Sequence, residues 1–250
     1  MKIKLSILFM LVYCGTLLIN LPASVFLQWM NNSPVTVHHA SGSLWRGEAK
    51  EVNVNPSLTL RNVKWNIDFG AFLRATLAAK VSFDNGIENM FGQGDVQYKL
   101  SSGISASNVV FHLSSKTLLK LLQLQLPIDI DGDFSVTIKK VQLDYPYCKQ
   151  LNGVINWKNA YIYTHMGNID LASPKVDLSC QNSSVNALLN QRSKQLSTVL
   201  EATIDYKGKY QVSGEIKPTK QLESAIAQSL TWAGKLDDNG ATVINFDGKF

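Results

Sequence analysis

Four histidines, three cysteines and one run of aspartates are the residues of this chain whose types could do chemistry. His38 and His39 are adjacent, and neighbours on a regular strand point to opposite faces, so the pair does not converge on one metal ion. His112 and His165 stand alone in the sequence, whereas a metal site needs several converging ligands. Asp129-Ile-Asp-Gly-Asp133 resembles the start of an acidic calcium loop. That loop requires Gly at its sixth position and Glu at its twelfth, where this chain has Phe134 and Lys140. A turn or strand edge with exposed carboxylates accounts for the run better. There is no Gly-x-Ser-x-Gly elbow, no phosphate-binding glycine loop and no His-Glu-x-x-His. The sequence therefore reads as non-enzymatic, with no catalytic residue, no metal site and no cofactor.

One motif is left unexplained by that search: Ser41-Gly-Ser-Leu-Trp-Arg-Gly47. Gly42 and Gly47 supply backbone freedom at either end of a short strand bearing Trp45. Two readings of Trp45 stay open. Either it anchors the core of the first hairpin, or Trp45 and Arg46 contact a partner.

The elements that must position these residues begin with an apolar segment. Lys2 and Lys4 precede an apolar run from Leu5 to Leu21, which resumes after Pro22 and reaches Trp29; no charged residue lies between Lys4 and Arg46. As a helix the run rises about 25 Å, and the part beyond Pro22 can complete a bilayer core of about 30 Å. Lysines at the start hold the N-terminus in the cytoplasm. Residues 1–30 are thus expected to be the cytoplasmic N-terminus and a single transmembrane anchor, with Lys2, Lys4 and Trp29 as its flanks, and residues 31–250 an exported domain. A cleaved signal peptide is the competing reading, although Leu-Pro-Ala-Ser at 21–24 suits cleavage poorly. A lipoprotein with Cys14 as the modified residue is a third, opposed by the bulk of Tyr13.

Residues 31–250 suffice for one sizeable core. The net charge of +5 is scattered rather than gathered in a basic run, so the chain carries no electrostatic footprint for nucleic acid. Beyond the anchor only Cys148 and Cys180 remain, and an even count in an oxidising compartment suggests one disulfide; two separate buried thiols are the alternative.

Period-two alternation recurs throughout the exported part. Val52/Val54, Leu77/Ala79/Val81/Phe83, Val96/Tyr98/Leu100, Val109/Phe111/Leu113, Val176/Leu178/Cys180 and Leu200/Ala202/Ile204/Tyr206 are the clearest runs. Parity slips by one at Arg61–Asn62, between Leu60 and Val63, and again between Ile138 and Val141. An unrepaired slip would turn the apolar set to the wrong face, so both sites predict β-bulges or tight corners. Asp84-Asn85-Gly86, Gly92-Gln93-Gly94, Ser102-Gly103, Lys207-Gly208 and Asp238-Asn239-Gly240 supply hairpin or loop chemistry. Helices are expected at 115–123, at 219–233 (covering an end or edge of the sheet) and at 69–74. The fold class is mainly β: an N-terminal transmembrane helix followed by a curved, largely antiparallel β-sheet domain with two or three short helices.

Taken together, the anchor, the 41–47 motif and Val63-Lys-Trp65 resemble the type II secretion system protein N family (general secretion pathway protein N). That family has Gly-Thr-hydrophobic-Trp-x-Gly after its anchor, and this chain carries Ser43 where Thr is usual. Cys148, Gly153 and Cys180 resemble the family's cysteine pair around a Gly-initiated strand. Leu230, Gly234, Asn239-Gly240 and Gly248 resemble its terminal helix and hairpin. The resemblance implies a Gram-negative, single-spanning inner-membrane protein with a periplasmic domain, a non-catalytic accessory in moving folded proteins across the outer membrane. Its implied partners are other type II secretion components and the inner membrane. It also implies that Gly42, Trp45, Gly47 and Trp65 are structural. A second resemblance, to membrane-anchored β-groove proteins related to AsmA, implies instead that lipid binds an apolar face.

Overall fold

A computed structural model describes residues 9–10, 12–13, 15–17, 19–24, 35–55, 58–72, 74–122, 128–144 and 147–249. Alternating apolar and polar residues, punctuated by turn chemistry, give fifteen strands in one sheet. The first eight are β1 (Thr36–Gly42), β2 (Arg46–Asn55), β3 (Leu58–Ile67), β4 (Thr76–Asp84), β5 (Phe91–Lys99), β6 (Gly103–Ser114), β7 (Asp129–Asp144) and β8 (Tyr147–Thr164). The rest are β9 (Gly167–Ala172), β10 (Lys175–Gln181), β11 (Ser184–Arg192), β12 (Leu196–Ile204), β13 (Lys209–Pro218), β14 (Lys235–Leu236) and β15 (Thr242–Lys249).

Every pairing is antiparallel, and almost every strand pairs with its neighbour in the chain. Two departures occur. β9 and β10 together line one side of β8, and β15 inserts between β13 and β14. The sheet is open, with β1 and β14 at opposite ends of the order.

Register aligns the apolar residues. Phe83, Gly92, Phe111, Val136, Ile155, Val176, Leu189 and Leu200 are successive Cα partners from β4 to β12. Partners in an antiparallel ladder share a face, so these side chains form one stripe across the sheet. The slip expected after Ile138 is present: Ile138 pairs with Gly153 and Val141 with Leu151, so one extra residue on β7 keeps both apolar side chains on the face of the stripe. At the other expected site Asn62 adopts φ +48° while the β2–β3 register stays unchanged, a left-handed residue rather than an insertion. Left-handed Asn108 and Asn159 mark further bulges in β6 and β8, which the sequence reading did not place.

Among the described residues three short helices punctuate the sheet: α1 (Phe69–Phe72), α2 (Ser115–Leu122) and α3 (Ser224–Ser229). α1 and α3 are shorter than their expected spans, and α2 fills every described residue of its own. At α1 the Asp68 carboxylate accepts the Gly70 N–H at 2.9 Å, and the segment closes as turns at Arg74 and Ala75. The 219–233 segment starts with a turn, Leu222 N–H to Thr219 C=O, and ends as a 3₁₀ turn over Leu230–Trp232. Its Leu222 and Ile226 pack on Leu196 of β12 and form the main buried cluster, covering one end of the sheet as expected. Leu100 and Tyr206, expected on strands, lie just past strand ends, and Gly92-Gln93-Gly94, expected as a turn or loop, lies inside β5 and pairs with β4.

At the N-terminus, every described residue from 9 to 19 is helical, and Phe9, Met10, Val12, Tyr13, Leu17 and Ile19 are all exposed. No helix among the described residues is long and apolar enough to cross a membrane. Lys2, Lys4, Cys14 and Trp29 lie outside the described residues.

Asn85 shows how the sheet is closed where β4 runs out. Its side chain is 3% exposed, donates to Thr59 C=O and accepts from Arg61 N–H, both at 2.7 Å. An amide here substitutes for the next backbone pair of the β3–β4 ladder. Asn85→Ala leaves both backbone groups of β3 unpaired and is expected to cost about 1–3 kcal/mol, read as a lowered urea midpoint with unchanged slope.

Candidate functional site

The Ser41–Gly47 motif builds the tip of the first hairpin. Gly42 and Gly47 are the last Cα partners of β1 and β2, and Ser43 through Trp45 form the turn between them, so Trp45 sits in a turn rather than on the expected short strand. Ser43 N–H donates to Arg46 C=O at 2.9 Å, while the Ser43 hydroxyl oxygen accepts Arg46 N–H at 3.1 Å. A threonine hydroxyl makes the same bonds, which accounts physically for Ser or Thr at this place. Gly42 has φ +84°, and a Cβ there would sit 2.6 Å from Arg46 O. At Gly47 a Cβ would fall 2.4 Å from the Trp65 ring. Only hydrogen fits at either position.

Two tryptophans fasten this tip. Trp65, on β3 opposite Gly47, donates its indole N–H to Leu44 C=O at 2.9 Å. Trp45 is half-buried, its carbonyl accepts Ile67 N–H, and its ring meets Phe69 of α1 edge-on with centroids 4.9 Å apart. The chain preceding β1 also docks here. Leu44 N–H donates to Leu21 C=O at 2.8 Å, Pro22 bridges Ser43, and Ala23 is fully buried.

Beside the tip, on the polar face, lies an open depression of about 740 Å³. Charges of both signs line it: Glu48 and Lys64 are cross-strand partners, as are Lys80 and Asp95, and Asp95 also accepts from the Asn108 side chain at 2.9 Å. Such paired charges suit a polar contact more than proton transfer, because each is offset by its neighbour.

The remaining chemistry-bearing residues are dispersed. His38 faces Glu51 across the β1–β2 ladder, and His39 is left-handed at φ +54°. His112 stacks on Phe91 at 4.6 Å, and His165 occupies the β8–β9 turn. Asp129, Asp131 and Asp133 are exposed along β7, where Asp129 and Asp131 accept the N–H of the residue that follows each. Among the described residues no three His, Cys, Asp or Glu side chains converge to hold a metal. Cys148 and Cys180 form a disulfide, with Cα atoms 5.7 Å apart, joining β8 to β10. Gly153, expected to start a strand, lies inside β8 between Ile138 and Leu178. Left unread from the sequence was the docking of residues 21–23 on the tip, since main-chain bonds leave no mark on residue types.

A single open antiparallel sheet, fastened at its first hairpin by a glycine-bounded tryptophan turn and stapled by one disulfide, defines a mainly β class of protein. The family model described as "Type II secretion system (T2SS), protein N" matches residues 33–245, and the chain belongs to that family. It is similar to the type II secretion system protein N of Vibrio cholerae, 26% identical over 251 residues, covering 98% of this chain and 97% of that protein. The Aeromonas hydrophila protein of the same name is 24% identical over 253 residues, covering 99% and 98%. That of Pectobacterium carotovorum is 26% identical over 222 residues, covering 86% and 84%. No solved structure matches the chain.

Two experiments check this geometry. Gly42→Ala should lower stability by about 2 kcal/mol or more, whereas Ser43→Thr should change it by less than about 0.5 kcal/mol; paired urea titrations compare them. Cys148→Ser should abolish the mobility shift between reducing and non-reducing gels and lower stability by about 3–4 kcal/mol in the chain-entropy treatment.

Proposed function

We propose that this type II secretion component is a non-catalytic accessory held in the inner membrane. In this reading residues 1–30 form the cytoplasmic N-terminus and a single uncleaved anchor, and residues 31–250 a periplasmic domain that contacts other components of the machine. The observation that carries it is the family match across 33–245, together with relatives aligned over nearly the whole chain and named as secretion components. Exposed apolar side chains on the described helical residues between 9 and 19 support the anchor, because such a surface is at home in lipid. The disulfide supports an oxidising compartment for the domain. Paired charges in the depression beside the hairpin tip suit a polar protein partner.

A second reading, an AsmA-like groove that takes up envelope lipid, draws on one observation. The apolar stripe crosses the sheet with its side chains mostly half-buried, and the cluster under α3 gathers around Leu196 rather than around the stripe residues. Stoichiometric phospholipid copurifying with the protein would favour that reading.

A clean deletion strain separates the two. Folded exoproteins should accumulate in the periplasm behind an intact outer membrane, and complementation should restore them to the medium. Normal secretion alongside a detergent-sensitive envelope would sink the secretion role and leave the groove.

A further inference from the structure

Strict antiparallel order places every second turn at the same end of the sheet. The 43–45 turn, α1, the turn after β5 and the end of β7 therefore share one rim. Neighbouring strands lie about 4.8 Å apart, so from β1 to β7 this rim runs about 29 Å.

Its surface differs from the rest of the sheet. Leu77, Tyr98, Ile104 and Leu143 are successive Cα partners on β4, β5, β6 and β7, and all four are exposed. Phe72 and Leu100 project beyond them, 57% and 86% exposed. Six large apolar side chains thus lie in the open on neighbouring strand ends. Scattered single exposures need no account, but a contiguous patch does. Exposed cations interleave with it: Arg46, Arg74 and Lys99. Asp68, the acid beside α1, is engaged by Gly70 N–H and lies 4.0 Å from Arg74.

The rim is also where the N-terminal apolar segment joins the domain, through Leu21 C=O on Leu44 N–H and the buried Ala23. A segment in the bilayer would bring this end, and no other, down to the headgroups. We propose that the β1–β7 rim is a membrane-contacting surface: Phe72, Leu100 and the Leu77–Leu143 row enter the boundary between headgroups and acyl chains, and Arg46, Arg74 and Lys99 meet lipid phosphates. Apolar and aromatic groups mixed with cations are the composition of interfacial surfaces, which sink about 5–10 Å into that boundary. This inference rests on the anchored reading above and adds an orientation: the sheet stands with its strand ends on the bilayer, and the α3 end points away.

The test uses the full chain in phosphatidylethanolamine–phosphatidylglycerol liposomes, with a thiol-reactive fluorophore at one site at a time. Cys14 itself reports the anchor. Leu100→Cys and, at the opposite end, the 84% exposed Trp232→Cys are labelled in a Cys14→Ser background. Lipids bearing a nitroxide near the headgroup should remove most of the signal from Leu100→Cys and little from Trp232→Cys. Leu100→Arg with Phe72→Arg should abolish that difference at a label on Ile104→Cys. A Cys14 label in lipid with the Leu100→Cys label in water overturns the rim while sparing the anchor; both in water overturns both. A Leu100→Cys label that is dehydrated but unquenched by lipid means a protein covers the rim, and also overturns the proposal.

Discussion

Side chains on a strand alternate faces, and that parity is the constraint on which this molecule depends. With one continuous sheet and little second layer among the described residues, only a small buried cluster under α3 can absorb a misdirected residue. Parity is kept by local backbone adjustments at asparagine, whose short polar side chain tolerates the left-handed region: Asn62, Asn108 and Asn159. Between Gln93 and Asp95 on β5 the ladder advances two residues, while on β6 it moves from Val110 to Ser107. The extra residue, Asn108, turns its amide back to Asp95, so it restores the pattern and is itself bonded.

Much of this was legible in the sequence because alternation is written directly in residue types. The slip between Ile138 and Val141 could be read and lies where the apolar parity changes. Asn159 obeys the same grammar, with Trp157 and Ala160 on either side of the change, yet lysine and asparagine between them mask it in a casual count. Helix lengths were read too long at both Phe69 and Thr219. Apolar spacing suited a helix at both places, but the Thr219 hydroxyl captured Gln221 N–H and made a turn before α3, while α1 begins at Phe69 as expected and gives way to turns at Arg74 and Ala75. The glycines and tryptophans of the first hairpin stood out as a motif, and their geometric reason emerged only with the Trp65 ring lying over Gly47.

Family membership and geometry bear on different questions. The match over 33–245 says what kind of assembly the chain belongs to. The structure says which features leave little freedom to vary: two glycines with no room for a methyl group, an indole bonded to Leu44, a disulfide across β8 and β10. At about one quarter identity most side chains differ between relatives, so these steric and bonding requirements, rather than composition, are what a common fold can hold in place.

Neighbour-to-neighbour pairing has a kinetic meaning as well. A strand that needs only its predecessor can pair as soon as that strand is in place, so the sheet can grow strand by strand from its first hairpin. Stability in such an array is close to a sum of nearest-neighbour terms, as in repeat solenoids. The last-arriving strands are then the first to fray, and the insertion of β15 between β13 and β14 seals that growing end by having the final long strand double back inside the one before it.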